Sequence, residues 1–262
     1  MTGFVDLYTQ SDTFLHRMDP RVKIVAVLLL SLLAFLLTSP IYLLLLLVLI
    51  LILVYLSRAT YSRTMFVLKF VLRLMVLIVL LWPLFDRSGT PVLFSHEPIR
   101  ITEPAVLRGI SSAVRVGCLA TVWYILMFTT SQRDLVLALV RLGLRFDYGL
   151  TIAISLRFFP TFVSTIDSVT DAQKARGMEF KKGSLVRRSR NYVAVLVPAV
   201  VSAMRTADAL SLALQSRAYG ARPDRTYLRE LHMRTSDYAA LGVIVALLVL
   251  PAIAKYFFSV PL

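Results

Sequence analysis

The sequence predicts an all-α, polytopic membrane protein with about five transmembrane helices and a cytoplasmic domain of amphipathic coupling helices between the fourth and fifth. Three observations carry that expectation. Hydrophobic residues make up 58% of the 262-residue chain and charged ones 17%, against about 45–50% and roughly 25% in an ordinary soluble domain. The mean hydropathy, +0.75, agrees. The third is the basic excess of 29 Lys+Arg over 15 Asp+Glu. An ionised group at the bilayer centre costs about 2.5–3.5 kcal/mol, so this charge has to collect in non-spanning stretches. A soluble globular enzyme, a disordered tail and a disulfide scaffold are thereby excluded. The one cysteine, Cys118, lies in an apolar run and reads as packing. Met1–Gln10 has neither a positive n-region nor a small-residue cleavage site, which leaves insertion to the first span.

Ile24–Thr38 and Ile41–Leu56 carry no charge. Ser39-Pro40 separates them, and a proline disfavours helix in the residue before it, so two short spans joined by a tight turn are expected rather than one kinked helix. A third span covers Phe66–Phe85, with Lys69 and Arg73 near its start, where long basic chains snorkel. The fourth covers Ala105–Thr130 and the last Tyr238–Phe258. Basic residues alternate between the connections. Arg17, Arg21 and Lys23 precede the first span, the turn at Thr38-Ser39-Pro40 has none, Arg58, Arg63, Lys69 and Arg73 lie around the next link, and in the loop after the third span Arg87 and Arg100 are offset by Asp86, Glu97 and Glu103. Residues 131–235 hold 17 of the Lys+Arg. By the positive-inside rule the N-terminus and 131–235 are cytoplasmic and the C-terminus is outside. The expected organisation is therefore 1–130 as a membrane domain, 131–235 as a cytoplasmic coupling-helix domain, and 236–262 as a C-terminal span.

The 131–235 stretch is helical in pattern. Ser131 suits an N-cap for a helix through Leu142, with Asp134 in its first turn and Gly143 at its end. Over Leu156–Arg176, Phe159, Phe162, Val163, Ile166 and Val169 recur at helical spacing against Ser164, Thr165, Asp167, Ser168 and Asp171. Tyr192–Arg217 repeats the pattern, with Leu196, Val200, Met204, Ala207, Leu210 and Leu214 on one face. The basic link Lys181–Arg190 between them suits either anionic lipid headgroups or a direct partner contact. The two helices end alike, in Ala175-Arg176-Gly177 and Ser216-Arg217-Ala218. One arginine at a helix C-terminus is ordinarily a dipole contact. Two, on paired amphipathic helices, suggest guanidinium groups presented to carboxylates of another protein.

Together these features resemble the transmembrane (T) component, EcfT, of energy-coupling factor (ECF) transporters. Leu15-His16-Arg17-Met18-Asp19-Pro20-Arg21-Val22-Lys23 resembles the family's lead-in to span one, and Leu156-Arg157-Phe158-Phe159-Pro160 its Arg-Phe-Ile-Pro element. Ala175-Arg176-Gly177 matches the first Ala-Arg-Gly signature. Ser216-Arg217-Ala218 is similar to the second, with Ala218 where glycine is usual and Gly220 two residues later. The resemblance covers nearly the whole chain. It implies a non-catalytic coupling subunit of an ABC-type importer in the plasma membrane of a prokaryote, free of cofactors. Two cytoplasmic ATPases (EcfA-like) would receive the tips Ala175, Arg176, Gly177, Ser216, Arg217 and Ala218. A small S component, which captures a vitamin or metal ion, would pack on Phe159, Phe162, Val163, Ile166, Leu196, Val200 and Met204. The length and the Pro223–Asp237 link favour a T component shared among several S components over one dedicated to cobalt, nickel or biotin.

Other chemistries find little support. His16, His96 and His232 are scattered, with no metal-ligand spacing. No G-x-x-x-x-G-K-[ST] loop occurs. A membrane-embedded lipid or isoprenoid enzyme would need an acid or histidine cluster, and Asp167, Asp171 and Asp208 lack such spacing. A stand-alone carrier would show internal repeats. The positive charge is explained by topology, without nucleic acid. Arg108 and Arg115, on one face of span four, read as snorkelling or as a buried pair.

Overall fold

The computed structural model describes residues 13–57, 61–86, 92–96, 99–180, 185–221, 233 and 235–258. The elements run α1 (Phe14–Arg17), α2 (Pro20–Leu36), α3 (Pro40–Leu56), α4 (Tyr61–Phe85), β1 (Val92–His96), β2 (Ile99–Thr102), α5 (Glu103–Thr129), α6 (Gln132–Arg141), α7 (Phe146–Ala175), α8 (Leu185–Ser216) and α9 (Thr235–Phe258). They fall into two compact units, 1–143 with 231–262, and 144–230.

The helix boundaries follow local chemistry. Asp19 caps α2, its Oδ1 accepting from the Arg21 amide at 2.9 Å, with Pro20 at the first helical position. Thus Asp19-Pro20 is a helix start. Leu37 closes α2 and Ser39, extended at φ −73 and ψ 134, opens α3 ahead of Pro40; the proline makes two helices of what hydropathy alone would leave as one. Ser131 caps α6, accepting from the Asp134 amide at 3.2 Å, and α6 packs against α2 in the first unit. The stretch before α5, a loop by its sequence, is an antiparallel ribbon, β1 against β2. Val92-Leu93-Phe94 and Ile99-Arg100-Ile101-Thr102 are rich in β-branched and aromatic residues, which favour a pleated backbone.

In the first unit α5 is the central helix. Its Val114, Cys118, Val122 and Leu126 are buried with Leu30 and Leu33 of α2 and Leu43 and Ile50 of α3. Cys118 is 1% exposed. Small residues let α4 approach α5 closely: a Cβ at Gly109 would stand 3.0 Å from Trp82 Cβ. Arg115 donates from Nε to the Ala34 carbonyl and from Nη2 to the Leu37 carbonyl, both at 2.9 Å, and so satisfies the C-terminal carbonyls of α2 from inside the bundle. Arg108 instead reaches Asp86 at 3.2 Å. The two arginines thus have separate, local partners.

The other polar feature of this unit is a buried knot. Lys23 donates from Nζ to the Thr129 carbonyl at 2.9 Å and the His16 carbonyl at 3.3 Å. Burial works against the charge on Lys23, and the carboxylates of Asp134, Asp237 and Asp19 offset part of that cost. Lys23, Asp19 and Asp237 are all under a tenth exposed. The knot joins the starts of α2, α6 and α9 to the end of α5.

Four described stretches have the length and apolar content to cross a membrane: Thr64–Phe85, Glu103–Thr129, Phe146–Ala175 and Asn191–Ser216. Pro40–Leu56 is apolar but shorter; at 1.5 Å per residue it spans about 26 Å. The chain is a multi-pass, all-α membrane protein, and length alone singles out α7 and α8 as readily as α4 and α5.

Candidate functional site

The second unit consists of α7 and α8. Both are longer than their periodicity implied, starting near 146 and 185 rather than 156 and 192. Each contains a proline, Pro160 in α7 and Pro198 in α8, and a helix-interior proline leaves the carbonyl four residues back without its amide partner. For Pro198 that carbonyl belongs to Ala194, and Gln173 Nε2 of α7 donates to it at 3.3 Å. A gap in one helix ladder thereby becomes a cross-link between the two helices.

Hydroxyls along α7 are satisfied by its own backbone. Thr151, Ser155, Thr165, Ser168 and Thr170 each donate to the carbonyl four residues earlier, at 2.7–2.9 Å. Ser and Thr placed this way bring no unmet donors to an apolar surface. Between the helices lies a cleft of about 350 Å³ lined by Phe158, Phe159 and Phe162 of α7 and Ala203, Ala207 and Leu210 of α8. Of the stripe residues proposed to pack on a partner, Phe162 and Ile166 are half-buried, while Phe159, Val163, Leu196, Val200 and Met204 are exposed on the chain.

The two helix tips share one backbone motif. Ala175 ends α7, and Arg176 follows as its C-cap. Gly177 is left-handed at φ +85; its amide donates to the Lys174 carbonyl at 2.9 Å, and the Met178 amide to the Gln173 carbonyl at 3.0 Å. Ser216 ends α8 and Arg217 follows it. Ala218 takes the left-handed position at φ +57; its amide donates to the Gln215 carbonyl at 2.9 Å, and the Tyr219 amide to the Leu214 carbonyl at 3.0 Å. Both are Schellman closures. The substitution of alanine for glycine after Arg217 leaves the helix end in the same geometry, at the steric cost a Cβ carries there. Arg176 and Arg217 are both exposed, and neither is ion-paired among the described residues.

The surroundings of the tips hold residues that sequence reasoning passed over. Tyr219 donates its hydroxyl to Asp147 Oδ1 at 2.9 Å, and Asp147 also faces Arg145 at 3.6 Å. Asn191 Nδ2 donates to the Glu179 carbonyl at 2.8 Å, and the rings of Phe180 and Tyr192 lie 5.8 Å apart. Only the Gln173 contact had a signal in the sequence: a proline inside the partner helix implies an open carbonyl. In the basic link, residues 181–184 lie outside the described residues, and 185–190 form the first turns of α8. Most of the Pro223–Asp237 link is likewise outside them. Among the described residues no three His, Cys, Asp or Glu come together as metal ligands.

Fold and site define an all-α, multi-pass membrane protein that carries a pair of arginine-tipped helices. The chain belongs to the CbiQ family, described as cobalt transport protein, which matches residues 11–228. It is similar over most of its length to proteins named energy-coupling factor transporter transmembrane protein EcfT. That of Brevibacillus brevis is 34% identical, over 92% of this chain and 95% of the relative. The Bacillus subtilis protein is 31% identical over 94% of each, and that of Streptococcus equi 31% over 92% of each.

Proposed function

We propose that this chain is the energy-coupling membrane subunit of an ECF-type importer. It transmits ATP hydrolysis by two cytoplasmic ATPases to a separate S component that captures a vitamin or other micronutrient. The observation that carries this reading is the pair of exposed arginines, Arg176 and Arg217, set at identically closed helix ends. A guanidinium held at a helix terminus is pre-oriented for bidentate pairing with a carboxylate. The names of the relatives support the same reading. The chain itself does no chemistry in this scheme, and its partners hydrolyse ATP.

The tips belong on the cytoplasmic face. Residues 131–235 carry 17 of the Lys+Arg, as a cytoplasmic segment does. The charged residues Arg157, Asp167 and Asp171 of α7 and Arg205 and Asp208 of α8 are all exposed. In a span they would face lipid at about 2.5–3.5 kcal/mol each near the centre; at the membrane surface they face water. The N-terminus is then cytoplasmic and the C-terminus outside, in a prokaryotic plasma membrane. The apolar stripe offered to the S component is Phe159, Val163, Leu196, Val200 and Met204, with Phe162 and Ile166 half-covered beside it.

Co-expression of the full chain with its ATPases and S component tests the reading. Arg176→Ala/Arg217→Ala is expected to strip the ATPases from the purified complex and abolish uptake, since losing one side of an interfacial charged pair costs about 2–5 kcal/mol. Retention of both ATPases and undiminished uptake in the double variant would refute it.

A further inference from the structure

The geometry points to a pair of reciprocal braces: the N-terminal third of each long helix holds and aims the arginine tip of the other, with Tyr219 and Asp147 as positioning residues for Arg217. This inference rests on the docking reading above. The Tyr219 hydroxyl donates to Asp147 Oδ1 at 2.9 Å across 72 residues of chain. Tyr219 is also the residue whose amide closes the tip, donating to the Leu214 carbonyl at 3.0 Å. Its side chain and main chain therefore fasten the same turn from two directions. Arg217, two residues earlier, projects from that turn.

The same arrangement serves the other tip with different chemistry. Gln173, whose carbonyl accepts the closing amide of Met178, donates its side chain to the Ala194 carbonyl that Pro198 leaves open. Asn191 of α8 donates to the Glu179 carbonyl just beyond the tip, at 2.8 Å. In both cases a residue that completes the helix end also reaches the opposite helix, Tyr219 at its second residue and Gln173 at its tenth. A helix end held only by its own backbone frays. One pinned to its neighbour presents its guanidinium in a narrower set of directions, which reduces the ordering cost of docking.

Two measurements on the full-length chain test this. The first is binding of its co-expressed, purified ATPase subunits to the chain in detergent. Tyr219→Phe is expected to weaken binding about three- to tenfold, the worth of one net hydrogen bond. Asp147→Ala should do the same, and the double variant should be no weaker than either alone, as for two members of one contact. Asp147→Asn keeps an acceptor for the tyrosine while removing the charge that faces Arg145, and should bind nearly as the parent does. The second is amide hydrogen exchange of the chain alone, where Tyr219→Phe should speed exchange at Ala218 and Tyr219. Parental binding by Tyr219→Phe, with binding lost in Arg217→Ala, overturns the brace and leaves the docking reading standing. Parental binding by Arg217→Ala leaves the brace nothing to aim and overturns it, and parental binding by the Arg176→Ala/Arg217→Ala variant overturns the docking reading as well.

Discussion

Lys23→Met removes the positive centre of the buried knot while keeping a long, unbranched side chain in its place. The change leaves little cavity, so its cost is electrostatic and hydrogen-bonding. The variant loses the donor to the Thr129 carbonyl at 2.9 Å and to the His16 carbonyl at 3.3 Å, and Asp134, Asp237 and Asp19 lose a charge that all of them attract. Breaking a buried charged contact from one side costs about 3–5 kcal/mol. In a chain of this length each kcal/mol moves the melting point by about 2–4 °C, which places the expected fall at roughly 10 °C. Cys118 supplies the assay: it is the one thiol in the chain and 1% exposed, so a thiol-reactive fluorophore reports unfolding of the detergent-purified protein. Lys69→Met, at an exposed position on α4, is the control and should melt with the parent. Asp237→Asn introduced into the Lys23→Met background should recover part of the loss by removing one of the unbalanced carboxylates. A Lys23→Met variant melting with its control would refute the electrostatic account of the knot.

The same dye assay tests Arg115→Leu, which withdraws both donors from the end of α2 and should cost roughly 2–3 kcal/mol, given the worth of hydrogen bonds from a charged group; an unchanged melting point would mean that the Ala34 and Leu37 carbonyls find other donors. Ala218→Gly relieves a Cβ at φ +57 and should steady the second tip by about 0.5–1 kcal/mol, read as slower amide exchange at Tyr219. Gly177→Ala does the reverse at φ +85 and should loosen the first tip by about 1 kcal/mol, read at Met178. Pro198→Ala restores an amide that competes with Gln173 for the Ala194 carbonyl; it should lengthen protection within α8 while freeing the Gln173 side chain, seen as a shift of its amide NMR signals.

Composition and periodicity alone determined the class of this protein, because hydropathy and charge distribution are additive along the chain. The break at Ser39-Pro40 and the caps at Asp19 and Ser131 were legible for a related reason: each depends on residues within one helical turn. The ends of α7 and α8 were half legible. Arg176-Gly177 announced its closure, since glycine is the residue suited to a left-handed position. At Arg217, whether the helix closed at Ala218 or ran on toward Gly220 was decided by the backbone, which accepted a Cβ at φ +57. Tertiary structure alone decided which polar groups meet. Lys23 and Thr129 are 106 residues apart, Arg115 and Ala34 81, and Tyr219 and Asp147 72. Each of these side chains has many solvent- or lipid-facing alternatives that no local pattern ranks. Those of Lys23 and Arg115 form only after packing has removed water from around the donor and left backbone carbonyls within reach, and the exposed Tyr219–Asp147 bond only after α7 and α8 have paired.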